Sequence, residues 1–494
     1  MSPSSTGRVR IGNKQWTSEV LSTLRSIMAL GEERCREDDC VRPGRKRDHM
    51  GGRRGREPMS SCEFRKQVPG PSEPFDLGAS DETFARLKEW SRSYGQFFRV
   101  YSPRSRGYAY FVNDPDAVKR ILLTNHANYV KGVGTDQISI LLGRGIMTSS
   151  GDFWQRQRRM LQPAFHRRII DRFGTMVAEV NARHALHWEE LARRSELVNI
   201  VHAASELTLD ITLNAIFGSD LTYLRERCGG NPFDIILTES DRNLKFAYRI
   251  RSLAGLVREL IERRRARPDE ERFDFLAMAL AARDKETGEA MSDKQLIDEM
   301  ITLIVAGHET TAAALAWTWY HLGHRQDCQE AVSASAATAF KPGTPDLEML
   351  QSWTEGQRVI KESLRLSPPG WMISRRTVEA DVLCETAIPA GSNVFVSPYF
   401  MHRHPAHWTD PEHFDPVRFA AEAEESRHRF AYIPFGVGPR HCIGEGLAVY
   451  EMGMHLWMMT GRFRLTPGTR DEPSVEARIN YRLRSDMMMH VEER

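Results

Sequence analysis

The chain has 494 residues, of which 41% are hydrophobic, 27% charged and 9% aromatic. That is the make-up of an ordinary globular protein, long enough to bury a large core without staples. A formal net charge of +2 excludes a strong global field of either sign, and nucleic acid is not expected as its partner.

Residues 1–66 differ from the rest. They hold fifteen Lys/Arg against nine Asp/Glu, with Arg42, Arg45, Lys46, Arg47, Arg53, Arg54 and Arg56 crowded into a Gly-rich stretch. Such a segment buries too little apolar surface to offset its ordering entropy, so a disordered basic extension is expected. The first 30 residues lack a secretory apolar core, and no run of 18 consecutive apolar residues marks a membrane-spanning helix or anchor. Seven scattered cysteines without a CxxC pair are no disulfide framework and suit a cytoplasmic location.

The folded part is expected over 67–494, as one large domain. Residues 81–94 read as a capped amphipathic helix, 97–101 and 108–112 as two alternating strands, and 114–123 as helix. Long 3.6-period runs follow from Trp154 to about residue 282. Trp154 and Arg158 lie four apart there, so both side chains reach one spot.

Ser292 and Gln295 form a capping box ahead of the proline-free apolar run 297–322. This predicts one helix of about 30 residues, about 45 Å long, through the middle of the domain. It contains Ala306-Gly307-His308-Glu309-Thr310-Thr311. A buried acid and hydroxyl are costly unless hydrogen-bonded, and by itself the segment reads as a helix with satisfied polar groups. A zinc-protease HExxH fails, because position 312 is Ala.

Glu362-Ser363-Leu364-Arg365 places a carboxylate and a guanidinium three apart on a helix face; alone, ExxR is common by chance. Strands return weakly at 382–383 and 393–396, and Phe414-Asp415-Pro416-Val417-Arg418-Phe419 follows. The predicted class is mainly α with small β-sheets.

The strongest signal is Phe435-Gly436-Val437-Gly438-Pro439-Arg440-His441-Cys442-Ile443-Gly444. Its glycines allow unusual backbone and close approach to something flat. Cys442 is read as standing at the start of a helix from Ile443, with Arg440 beside it, both favouring a thiolate. One thiolate suits heme iron better than zinc, which wants four ligands.

This loop resembles the heme-binding loop of the cytochrome P450 family, and the other motifs fall in the family's order. The resemblance implies the P450 fold with heme b (iron-protoporphyrin IX) on Cys442, within a loop that includes Phe435, Gly436, Arg440 and Gly444. It implies a core-locking triad of Glu362, Arg365 and Arg418, and propionate contacts from Trp154, Arg158 and Arg375, with Arg376 an alternative to the last. Thr310 would hydrogen-bond bound dioxygen and Glu309 would relay protons through water.

The implied activity is monooxygenation of a hydrophobic or mixed small molecule, by hydroxylation or epoxidation, in natural-product biosynthesis. Electrons would come from a separate ferredoxin and its reductase, and a monomer of the soluble bacterial type is expected. Ile301, Val305, Ala306, Trp371 and Met372 are candidate pocket walls. Two other readings stay open, a peroxide-driven peroxygenase, against which Glu309-Thr310 argues, and a non-catalytic heme carrier or sensor.

Overall fold

The computed structural model describes residues 9–11, 14–16, 68–238, 244–339, 343–469 and 472–494. The chain divides into two compact units, Met1–Ser61 and Cys62–Arg494. In the first, a short antiparallel ladder pairs Val9–Ile11 with Lys14–Trp16, where the sequence reading expects no strand. The remainder of the basic extension, its arginine-rich stretch included, lies outside the described residues.

The second unit is mostly helical, with small sheets at its edges. Asp81–Tyr94 forms the expected helix, capped by Ser80, whose side chain accepts from the Thr83 N–H. It turns Phe84, Leu87 and Trp90 inward, the 3–4 spacing of a single buried face. Residues 114–123 are not one helix. Pro115–Lys119 is α-helical and Arg120–Thr124 continues as a π-turn, which brings its backbone against the Cys442 loop.

Asp293–His324 is the predicted long helix, 32 residues with the Ser292–Gln295 capping box formed in both directions. At 1.5 Å per residue it spans about 48 Å. Among the described residues it is the one helix long and apolar enough to cross a membrane, and 78% of its apolar window is buried inside the protein. Ile200–Phe217 packs along it and contributes its own buried apolar side chains.

A five-stranded sheet runs in the order Phe97–Ser102, Gly107–Val112, Asn393–Val396, Ile373–Thr377, Tyr129–Lys131. Its pairings are antiparallel except Gly107–Val112 with Asn393–Val396, which is parallel. The strand Ile373–Thr377 escapes the sequence reading because Arg375 and Arg376 break its apolar alternation.

Two adjacent acids on the long helix hold the loop that precedes the Trp154 helix. Asp298 accepts from the Arg144 N–H (3.0 Å) and from Arg251 Nη1 (2.7 Å), and Glu299 accepts from the Ile146 N–H (2.9 Å) and Gln157 Nε2 (3.0 Å). Four donors on three segments therefore meet one turn of helix.

Candidate functional site

The Cys442 loop is built by backbone geometry. Gly436 and Gly438 adopt φ of +70° and +75°, and the Cys442 N–H donates to the Phe435 carbonyl at 3.0 Å. A Cβ on Gly438 would meet the Leu122 carbonyl oxygen at 2.0 Å, so the loop rests directly on the π-turn. Phe435 packs against the main core, half-buried, and Gly444 caps the following helix.

That helix runs Glu445–Thr460, two residues later than the sequence reading places it. Cys442 therefore stands ahead of the helix, and the Gly444 and Glu445 N–H groups donate to its sulfur. Cys442 has open surface at a position deep within the protein. Burial pushes its thiol above the usual value, opposed by those two N–H groups and by Arg158. Arg440 is not the cation acting on the sulfur. Its Nη1 donates to the Ser149 carbonyl (2.8 Å) and its guanidinium lies 3.8 Å from the centre of the Trp154 ring. His441 pairs with Glu445 at 3.1 Å.

Trp154 and Arg158 share one face of the helix Gly151–Leu161, and both reach the Cys442 loop. Trp154 does so through Arg440, and Arg158 through a 2.9 Å bond from Nη1 to the His441 carbonyl.

Strand register decides between Arg375 and Arg376. Neighbouring residues on a strand face opposite sides; Arg376 is exposed, and Arg375 is half-buried and paired directly across the ladder from Lys131. Like charges placed opposite each other destabilise a sheet. Here Arg440 acts on the same pair, and all three cations are desolvated. Burial first, and Arg375 and Arg440 second, bring the Lys131 ammonium down to about 7. Burial holds Arg375 at about 10, and burial together with Arg375 and Arg158 does the same to Arg440. Such a group is stable against an anion. Heme propionate carboxylates would satisfy it, with Cys442 available as the iron ligand, so the residues present fit heme. Lys131 carries no motif and escapes sequence reading; only the register places it here.

Across the long helix, most side chains in the middle are buried, but Leu303, Val305, Ala306, Gly307 and Thr310 are only half-buried. Ala306 and Thr310, four apart, share one side, whereas a Cβ on Gly307 would meet Thr212 of the neighbouring helix at 3.6 Å. Thr310 Oγ1 donates to the Ala306 carbonyl at 2.8 Å, which turns the hydroxyl proton into the helix and leaves its lone pairs outward. Glu309 is buried and accepts from Asn480 Nδ2 at 3.2 Å. Val305 and Met372 are half-buried, as wall residues would be. Ile301 and Trp371 are not wall residues: each is 1% exposed within the core, and the Trp371 indole N–H donates to the Arg478 carbonyl at 2.9 Å.

Behind the loop, Glu362 on the helix Thr354–Leu366 binds Arg365 through Nε–Oε2 at 2.7 Å and Nη2–Oε1 at 2.8 Å, with Arg418 Nε at 3.4 Å. The three motif residues, separate in sequence, are one cluster.

Comparison with known proteins decides the family. A family model described as Cytochrome P450 matches residues 74–229 and 229–485. The chain belongs to the cytochrome P450 family. It is 31% identical to "Cyclooctatin synthase" of Streptomyces melanosporofaciens, over 73% of this chain and 81% of that protein. It is 32% identical to "Cyclooctat-9-en-7-ol 5-monooxygenase" of the same organism, over 73% of this chain and 80% of that one. A solved structure of the heme domain of cytochrome P450DA aligns with TM-score 0.74 at 26% identity, covering 84% of this chain and 94% of that one. This P450 is thus a monooxygenase with the P450 fold, and its cofactor is heme b.

Proposed function

We propose that this P450 inserts one oxygen atom of dioxygen into a small, largely hydrocarbon substrate in natural-product biosynthesis. The half-buried stretch of the long helix around Thr310 carries this reading. Val305 and Ala306 with Met372 offer apolar contact, and the polar groups beside them are Thr310 and the Glu309 behind it. A relative named for oxidising cyclooctat-9-en-7-ol, an alkene with one hydroxyl, is consistent with such a wall. Electrons are proposed to come from a separate ferredoxin and reductase, with the protein acting as a cytoplasmic monomer.

Heme, when bound, supplies dioxygen activation and oxygen transfer. Cys442 would hold its iron through sulfur, with Lys131, Arg375, Arg440, Trp154 and Arg158 holding the propionate edge. Thr310, its own proton committed to Ala306, accepts a hydrogen bond from water or a protonated oxygen beside the substrate. Glu309 is the acid that takes protons from solvent and passes them through that water. The apolar face keeps other water away.

The test supplies the purified protein with a ferredoxin–reductase pair, cyclooctat-9-en-7-ol and ¹⁸O₂. A product bearing one ¹⁸O atom is expected, and Thr310→Ala should divert electrons to peroxide. Oxidation only when hydrogen peroxide replaces the reductant would instead establish the peroxygenase reading.

A further inference from the structure

A short hairpin, Val475–Ala477 paired with Tyr481–Leu483, lies along the long helix, and its tip is fastened from several sides. The Tyr481 N–H donates to the Pro369 carbonyl (2.9 Å), the Arg478 carbonyl accepts from Trp371 Nε1 (2.9 Å), and the Ala477 N–H donates to Asp81 (2.8 Å). The Tyr481 ring stacks on Trp317, two turns beyond Glu309, at 5.4 Å and 5°. Between these attachments Asn480 Nδ2 donates to Glu309 Oε2. A tip held this way cannot wander, so its one carboxamide is a donor at a set position.

We propose that Asn480 is a positioning residue for proton delivery. Its carboxamide N–H holds the Glu309 carboxylate in the orientation from which Glu309 serves Thr310. The proposal rests on the relay reading of Glu309 given above. The chemistry suits it: an amide N–H donates to a carboxylate oxygen, and the bond is charge-assisted. The Asn480 carboxamide bond runs to Glu309 and not to the thiolate loop or Thr310.

The experiment uses the heme-loaded full chain with a ferredoxin–reductase pair and no added substrate, so it needs no substrate assignment. Two electrons and two protons convert dioxygen to hydrogen peroxide, and four of each convert it to two waters. Dioxygen consumed and peroxide formed therefore report both the rate and the use of protons. Glu309→Gln should slow consumption or raise the peroxide share. Asn480→Leu, close in shape but without a donor, should do the same by about tenfold, and should add nothing in the Glu309→Gln background. Asn480→Asp, which sets a second carboxylate against Glu309, should be at least as impaired, whereas Ile479→Ala at the neighbouring tip position should behave as wild type.

A second readout is independent of turnover. The infrared carboxylate band lost in Glu309→Gln should shift in Asn480→Leu. If Glu309→Gln is impaired and Asn480→Leu is not, or if their effects add, Asn480 has no positioning role. If Glu309→Gln behaves as wild type, the relay reading itself fails, and an infrared shift in Asn480→Leu would then report a contact without catalytic consequence.

Discussion

Glu362 and Arg365 form a two-point ion pair in which neither side chain has any exposure to solvent. Arg365 has further partners in the carbonyls of His402 (3.0 Å), Pro411 (2.6 Å) and His413 (3.1 Å), and Glu362 accepts from the Asp415 N–H (2.8 Å). Removing one member leaves the other charged and unpaired in the interior, which costs about 3–5 kcal/mol. Arg365→Met should therefore strip most heme-loaded protein from expression, or lower its Tm steeply. Arg418→Met leaves the two-point pair intact and should cost about 1 kcal/mol. Equal losses in thermal unfolding would show that the cluster has no such hierarchy.

Gly438 and Gly436 separate steric contact from backbone preference. Both have positive φ, but a Cβ on Gly436 meets nothing within 4 Å, and one on Gly438 meets the Leu122 backbone. Gly436→Ala should cost about 1–2 kcal/mol, the left-handed penalty alone. In Gly438→Ala the π-turn and the thiolate loop must separate, for a loss above about 3 kcal/mol. Heme content per chain, measured for both variants, should fall in the second far more than in the first.

The Lys131–Arg375 pairing predicts opposite effects on the stability of the heme-free protein and on heme retention. Lys131→Met removes a like-charge contact across the ladder, so protein without heme should gain stability. The same change removes one cation from the propionate edge, so heme should pass to apomyoglobin about tenfold faster. If the heme-free protein gains stability and heme is retained as well as or better than in wild type, Lys131 does not face the cofactor.

Glu299 predicts a pH effect. Burial, opposed by donation from Ile146 and Gln157 and reinforced by Asp298, pushes its carboxyl from 4.5 up to about 7. An acid with a raised folded pKa binds more protons when folded, so its contribution to stability is complete below about 4.5. That contribution is lost as pH rises to about 7 and then stays lost, a change of about 3 kcal/mol. Relative to wild type, Glu299→Gln should thus gain stability between pH 5 and 8, seen as a widening Tm difference. A difference independent of pH would mean that Glu299 is ionised throughout.

The chemistry of this protein was legible in the sequence because it is written locally. Trp154 and Arg158 share a helix face by their four-residue spacing, Glu362 and Arg365 by their three, and the glycines of 436–444 announce a loop with unusual backbone. The Ser292–Gln295 box and the apolar run behind it state one long helix in the same way. Each depends only on neighbours a turn or two away, so periodicity suffices.

Tertiary structure decided what depends on pairing between distant segments. The register of Tyr129–Lys131 against Ile373–Thr377 selected Arg375 over Arg376 and brought in Lys131. Docking of a hairpin set Asn480 against Glu309, 171 residues away. Packing turned Ile301 and Trp371 into the core and left Val305, Ala306 and Thr310 half-buried. A side chain's neighbours across a sheet or a helix interface are set by the total burial of many segments at once, and no local spacing encodes that sum.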